Sequence, residues 1–235
     1  MLKMIKFFQN IPEILAVMSE REDGSMKLFK DSDLNLENRK RFFEKIGIGE
    51  NKIIAAEIVH GIKVEIVNNS SPNFILEADG LITRDKNIFL SATMADCIPV
   101  YLYESEKKII GVIHCGWRGI VSGIIGNAIK ETLSIGGKTE NLKIALGPGI
   151  NSCHFEIKDD VLDRFGSYPE FVIRREGKIF VDLKGIIKEQ MVDLGIDYKN
   201  IENNEECTME DDRYFSFRRD KPKVTEAMVA VIGLK

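Results

Sequence analysis

Eight short runs of apolar and β-branched residues, spread along the chain and bounded by turn residues, limit what this sequence can fold into. They cover residues 53–58, 63–67, 87–92, 99–103, 108–113, 143–146, 178–181 and 227–232. Their apolar and β-branched content suits buried strands, although periodicity alone does not separate runs this short from buried helix. Helix-period segments lie between some of them, at 36–46, 120–133, 158–165 and 183–194. These segments meet Gly47, Gly136-Gly137, Gly166 and Gly195 in turn. Glycine adopts the left-handed conformation without a Cβ clash, so it is the expected helix stop. Strands and helices do not alternate strictly, which argues against a doubly wound parallel sheet. The expectation is an α+β layered sandwich of mixed sheets flanked by helices. No internal repeat or low-complexity linker divides the chain, so residues 1–235 read as one domain.

Of the 235 residues 44% are hydrophobic and 30% charged, enough apolar surface for a substantial core. The net charge is −4 with both signs interspersed, and no basic stripe is available to neutralise a phosphate backbone. Nucleic acid is therefore not an expected partner. The longest apolar runs reach about half of the roughly 20 residues that span a bilayer. The N-terminal apolar stretch is interrupted by Glu13 and has no small-residue cleavage site, so no membrane association and a cytoplasmic location are expected. Cys97, Cys115, Cys153 and Cys207 form no C-x-x-C pair. As reduced thiols, each is either a small buried hydrophobe or a ligand or nucleophile.

The stretch IIGVIHCGWRGI, residues 109–120, places one of three histidines, one of four cysteines and the single tryptophan within four positions. Three strand-like runs end on a metal-competent side chain: His60 before Gly61, Cys97 just before Pro99, and His114 just before Gly116. Strand ends and the loops after them are where sites are commonly built. Two imidazoles and a thiolate make a good zinc set and leave the fourth tetrahedral position open. Plainer readings exist for each residue: a lone histidine after a strand is commonly structural, and a lone cysteine is commonly buried packing. Cys97 with His114 also fits a thiolate–imidazolium pair for acyl transfer. The nucleobase-deaminase signature H-x-E with P-C-x-x-C is absent. Gly147-Pro148-Gly149 is either a ligand-approaching loop or an ordinary turn. Arg218 and Arg219, after alternating aromatics, could grip a phosphate or carboxylate. Ion pairs with Asp220 or Asp212 are the plainer alternative.

Taken together, VHG at 59–61, ADCIPV at 95–100, HCGWRG at 114–119, GPGINSCHFEI at 147–157, CT at 207–208 and FSFRRD at 215–220 resemble the YfiH/YlmD family. The resemblance runs from about residue 35 to the C-terminus. Members have been labelled polyphenol oxidase or multicopper laccase, purine nucleoside phosphorylase, and peptidoglycan editing factor. The fold is also likened to the catalytic domain of a bacterial cytotoxic factor. The resemblance implies Zn2+ held by His60, Cys97 and His114, with copper by substitution. It implies phosphorolysis of purine nucleosides of the adenosine, inosine, guanosine and methylthioadenosine class, together with adenosine deaminase activity. Cys97, His114 and Arg118 are then the expected catalytic groups, and Arg118 or Arg219 the group that binds phosphate.

Alternatives implied by the same labels are a hydrolase editing peptidoglycan precursors with Cys97 and His114, and a copper polyphenol oxidase. Three histidines cannot supply both a type 1 copper site and a trinuclear cluster, which counts against laccase chemistry. A non-catalytic metal module would need a fourth ligand, for which Cys153, His154 and Cys115 are the candidates. Trp117 is expected to pack beside the site. Three positions depart from the usual pattern. Ile58 stands where glutamine usually precedes V-H-G, Cys115 replaces the usual alanine, and Asp33 to Leu36 runs straight into Glu37-Asn38-Arg39 without a long glycine-rich loop.

Overall fold

The computed structural model describes residues 4–28 and 33–235. The first strands along the chain are β1 (Ile5–Phe7), β2 (Ile14–Met18), β3 (Lys52–Ala56), β4 (Val64–Ile66) and β5 (Phe74–Ile75). There follow β6 (Gly80–Thr83), β7 (Ile88–Met94), β8 (Ile98–Glu104), β9 (Ile109–Cys115) and β10 (Leu142–Leu146). The last are β11 (Glu156–Ile157), β12 (Val172–Arg175), β13 (Lys178–Val181), β14 (Ile201–Asn203) and β15 (Met228–Leu234). The helices are α1 (Asp33–Lys45), α2 (Trp117–Val121), α3 (Ile124–Ser134), α4 (Asp159–Leu162), α5 (Leu183–Asp193) and α6 (Phe217–Asp220).

The described residues form two six-stranded sheets, ordered β1-β2-β15-β7-β3-β5 and β14-β10-β8-β9-β6-β4, and a small sheet β11-β13-β12. Both large sheets are mixed: β3 runs parallel to β7 and β5, β4 to β6, and β10 to β14, while the other pairs are antiparallel. The α+β sandwich expected from the sequence is the fold observed.

The period of two along a strand builds three apolar layers. From β7, Ile88, Leu90, Ala92 and Met94 face Tyr101, Tyr103, Ile110 and Val112 across the space between the sheets. The intervening Phe89, with Val17, Val229 and Val231, meets Phe42 and Phe43 of α1 on the outer face of the first sheet. Val100 and Leu102 of β8 meet Ile125 and Ile129 of α3 and Ile186 and Ile187 of α5 on the outer face of the second. Strands covered on both sides carry no polar alternation, which is why β7, β8, β9 and β15 are buried at all seven positions.

Besides short strands that the sequence does not mark, two helix details differ from the sequence-based expectation. The single helix expected over 120–133 is split into α2 and α3, because Gly123 adopts φ 94° and interrupts the hydrogen-bond ladder. Gly47, Gly136 and Gly195 do take the left-handed conformation. Gly166 instead has φ −59°, because the last turn of that segment tightens into a 3-10 turn, Asp163–Phe165, that needs no left-handed stop.

Candidate metal centre

Strand pairing brings His114 beside the turn that carries Cys97, and hydrogen bonds from the loop at 59–61 to Asp79 add His60. In the β8–β9 register Ile98 faces Cys115 and Pro99 faces His114. On the other side of β9, Gly80 at the start of β6 faces Ile113. His114 is thus held between the turn carrying Cys97 and the residue preceding β6, Asp79. The link from β7 to β8 crosses from one sheet to the other through Asp96, whose φ of 77° turns the chain. Such a conformation is uncommon for a residue with a side chain. Asp96 is buried and tied down: Oδ1 accepts from Thr208 Oγ1 at 2.7 Å, Oδ2 from the Arg218 backbone N–H at 2.7 Å, and its carbonyl from Ile150 N–H at 2.8 Å. One side chain and its backbone thereby gather the 147–150, 207–208 and 215–220 segments around Cys97.

Asp79, which sequence reasoning passed over, organises the rest. Its carboxylate is fully buried. Oδ1 accepts from the His60 backbone N–H and from His114 Nδ1, both at 2.9 Å, and Oδ2 accepts from Gly61 N–H at 2.7 Å and Val59 N–H at 3.3 Å. These bonds hold His60 at φ 60°. They also occupy His114 Nδ1, leaving Nε2 as the free ring nitrogen, the carboxylate–histidine arrangement that commonly backs a metal ligand.

The nitrogen, sulfur and nitrogen donors of His60, Cys97 and His114 lie within 4.8 Å of one another. The two imidazoles meet edge to face with centroids 4.9 Å apart. His114 is buried, Cys97 partly so, and His60 is exposed. Burial opposes ionisation of Cys97, but the adjacent His114 imidazolium and hydrogen bonds from both histidines outweigh it and bring the thiol down to about 6. Burial likewise pulls His114 down, yet the Cys97 thiolate and Asp79 carry it up to about 9. For Asp79 burial works against the charge, and the bonds from His114 and the loop amides hold it below its ordinary value. Two imidazoles and a thiol inclined to ionise, within 4.8 Å of one another, form a candidate donor set for a divalent cation.

Gly116 has a steric reason to follow Cys115. A Cβ there would lie 3.1 Å from His60 Cδ2, 3.2 Å from Cys97 Sγ and 3.4 Å from His114 Cε1. A Cβ at Gly119 would lie 2.8 Å from the Gly61 carbonyl. The two glycines of G-W-R-G therefore let α2 approach the ligand loops.

The centre opens onto a cavity of about 600 Å³, within the range of small-molecule sites. Ile58, Ile150, Phe155 and Phe217 supply apolar wall; Lys27, Arg118, Lys158 and Arg218 supply positive charge. The Arg118 guanidinium lies over Trp117 at 4.5 Å and has no carboxylate partner among the described residues. Trp117 in turn packs on Phe165 at 6.0 Å. Burial pushes the Lys27 ammonium down, against the attraction of Cys97, Glu57 and Asp79.

Arg219 is not brought into this cavity. Its guanidinium donates to the carbonyls of Thr208, Met209, Asp211 and Tyr214 and pairs with Asp220, so it braces a loop, while its neighbour Arg218 lines the cavity wall. None of the fourth-ligand candidates joins the group either. Cys115 points into the helix-side core, and Cys153 and His154 belong to a separate cluster. Ile58, in the place of the usual glutamine, makes that part of the wall apolar.

Residues 25–235 match the family described as multi-copper polyphenol oxidoreductase laccase. A purine nucleoside phosphorylase of Deinococcus radiodurans is 32% identical over 84% of this chain and 76% of its own length. One from Campylobacter jejuni is 32% identical over 87% of this chain and 89% of its own. The crystal structure of YfiH from Bacillus licheniformis superposes with a TM-score of 0.91 at 25% identity, covering 99% of this chain and 96% of that one.

Proposed function

Because this chain belongs to the multi-copper polyphenol oxidoreductase laccase family, the group of YfiH and YlmD, we propose that it is a zinc-dependent purine nucleoside phosphorylase with adenosine deaminase activity. The observation that carries the reading is a three-donor group with no fourth protein ligand and cations without carboxylate partners among the described residues, opening onto a cavity with apolar walls, in a chain 32% identical to enzymes named for that reaction. A closed structural site uses four protein ligands, whereas a catalytic one keeps a position free.

His60, Cys97 and His114 would hold the metal, and among the described residues they are a fitting set: two imidazoles, a thiol already inclined to ionise, and a carboxylate fixing one ring. When bound there, zinc supplies Lewis acidity, which serves charge on phosphate or ribose oxygens in phosphorolysis and activation of water in deamination. The chain's own groups do the remainder. Arg118, stacked on Trp117 and without a carboxylate partner among the described residues, offers a planar fork to phosphate, and Lys27 adds a second positive charge. Phe155, Ile150 and Ile58 provide apolar surface against which a purine can lie while excluding water from the reacting C1′. Asp79 keeps the His114 ring in one tautomer and one orientation.

The test is a product assay on zinc-loaded protein with adenosine, with and without phosphate. Adenine and ribose 1-phosphate formed only with phosphate support phosphorolysis. Inosine formed regardless of phosphate makes deamination the main activity, and neither product refutes the nucleoside reading.

One observation favours a second reading. Cys97, His114 and Asp79 line up as nucleophile, base and orienting carboxylate, with the thiol at about 6 and the imidazole at about 9. That is the equipment of a cysteine hydrolase acting on an amide such as a peptidoglycan precursor. Amide cleavage that survives chelation and is blocked by alkylating Cys97 would select it. Copper chemistry of the laccase type asks for more histidines than this chain's three.

A further inference from the structure

Cys153, His154, Cys207 and Glu210 form a second group of potential ligands, whose donor atoms all lie within 4.8 Å of one another. His154 Nδ1 is 3.1 Å from Cys153 Sγ and 3.6 Å from Cys207 Sγ, and Cys153 Sγ is 4.0 Å from Glu210 Oε2. Ligands placed tetrahedrally at zinc–sulfur and zinc–nitrogen bond lengths stand about 3.5–3.8 Å apart. The observed separations bracket that spacing. We propose that these four residues form a second, closed metal site for a thiophilic divalent cation such as zinc, structural where the His60–Cys97–His114 centre is open.

The donors come from two distant loops that the backbone has already joined. A turn in which His154 and Phe155 N–H both donate to the Asn151 carbonyl sets Cys153 and His154 side by side. Gly149 pairs with Cys207 in a parallel bridge, and the Asn151 N–H points at Cys207 Sγ at 3.4 Å. Cys207 is buried, Cys153 and His154 half-buried, and Glu210 exposed, so the group has a solvent side through which an ion can enter. The loops that the ion would tie carry Ile150 and Phe155 of the cavity wall and Thr208, the partner of Asp96. A metal here would brace the wall of the first centre without facing its cavity.

The experiment measures zinc per chain, by elemental analysis, on full-length protein purified anaerobically with reductant. Cobalt titration provides a thiolate charge-transfer band as a spectroscopic count. Wild type should hold two equivalents, and Cys97→Ala one. Cys153→Ser/Cys207→Ser should also hold one, and the combination none. Because Cys207 is buried and its loss can disturb the loop, exposed Glu210→Gln serves as a second variant. It should keep the first equivalent and release the second to a chelator at least about tenfold more readily, a lower bound for a direct ligand because losing an outer partner alone costs that much. One equivalent in wild type, lost with Cys97→Ala and unaffected by the Cys153 and Cys207 substitutions, would overturn the proposal. So would a Cys153–Cys207 disulfide found by non-reducing peptide mapping of that same preparation.

Discussion

Replacing Asp79 with asparagine tests how the centre is held, because the substitution preserves shape and removes only charge and one acceptor. Four donors converge on the carboxylate: His60 N–H and His114 Nδ1 on one oxygen, Gly61 and Val59 N–H on the other. An asparagine offers one oxygen and one NH2 group. Whichever way it is turned, the NH2 faces two donors and two charge-assisted bonds are lost. At roughly 1.5–3 kcal/mol each, the ceiling is roughly 3–6 kcal/mol. The exposed His60 loop can relax, so the expected loss of stability in the metal-free protein is about 2–4 kcal/mol, read from urea unfolding. Zinc affinity, measured by chelator competition, should fall about 10- to 100-fold through the disordered His114 ring and His60 loop. Stability within about 0.5 kcal/mol of wild type, the range of an ordinary surface change, together with unchanged zinc affinity, would refute the role assigned to Asp79.

Gly116→Ala should weaken zinc binding by roughly tenfold while leaving the unfolding midpoint nearly unchanged, since the new methyl crowds His60, Cys97 and His114 at 3.1–3.4 Å but the backbone φ of −77° suits alanine. In metal-free protein the Cys97 thiolate should appear as pH rises through about 6, against about 8.5 for an ordinary cysteine. Iodoacetamide alkylation followed by peptide mapping would measure this midpoint. Buried Cys115, whose thiol is pushed far up, should stay unmodified over the same range. Arg118→Ala should raise the KM for phosphate roughly 10- to 150-fold, the loss of one charge-assisted contact, with little change in melting temperature. Arg219→Ala should instead lower stability by about 1–3 kcal/mol, because the carbonyls of Thr208, Met209, Asp211 and Tyr214 lose their shared donor.

The grouping of His60, Cys97 and His114 was legible in the sequence because each stands in or just beyond an apolar strand-like run. His60 follows β3, Cys97 stands between β7 and β8, and His114 is the penultimate residue of β9. Asp79 was not legible. It precedes the four-residue β6, and its meaning depends on β6 pairing with β9, a contact between segments about thirty residues apart that no local pattern encodes. The seven strands absent from the sequence-based reading are two to five residues long; at that length periodicity does not mark a strand, and the equally short β4 and β13 stand out only by their β-branched and aromatic content. Arg118 and Arg219 were indistinguishable for a similar reason. Whether an arginine faces a cavity or braces carbonyls is decided by loops folded on it from elsewhere. The Cys153–His154 turn meets Cys207 only through the bridge at Gly149.

The most direct measurement is the rate of phosphate-dependent adenosine cleavage by His60→Ala relative to wild type, both loaded with zinc. His60 is exposed, so its loss should leave the fold intact, which circular dichroism would verify. A metal centre carrying the reaction requires the rate to fall at least about 100-fold, beyond the effect of losing an outer partner of a metal ligand. A rate within about twofold of wild type, well short of even the smallest such effect, would contradict it.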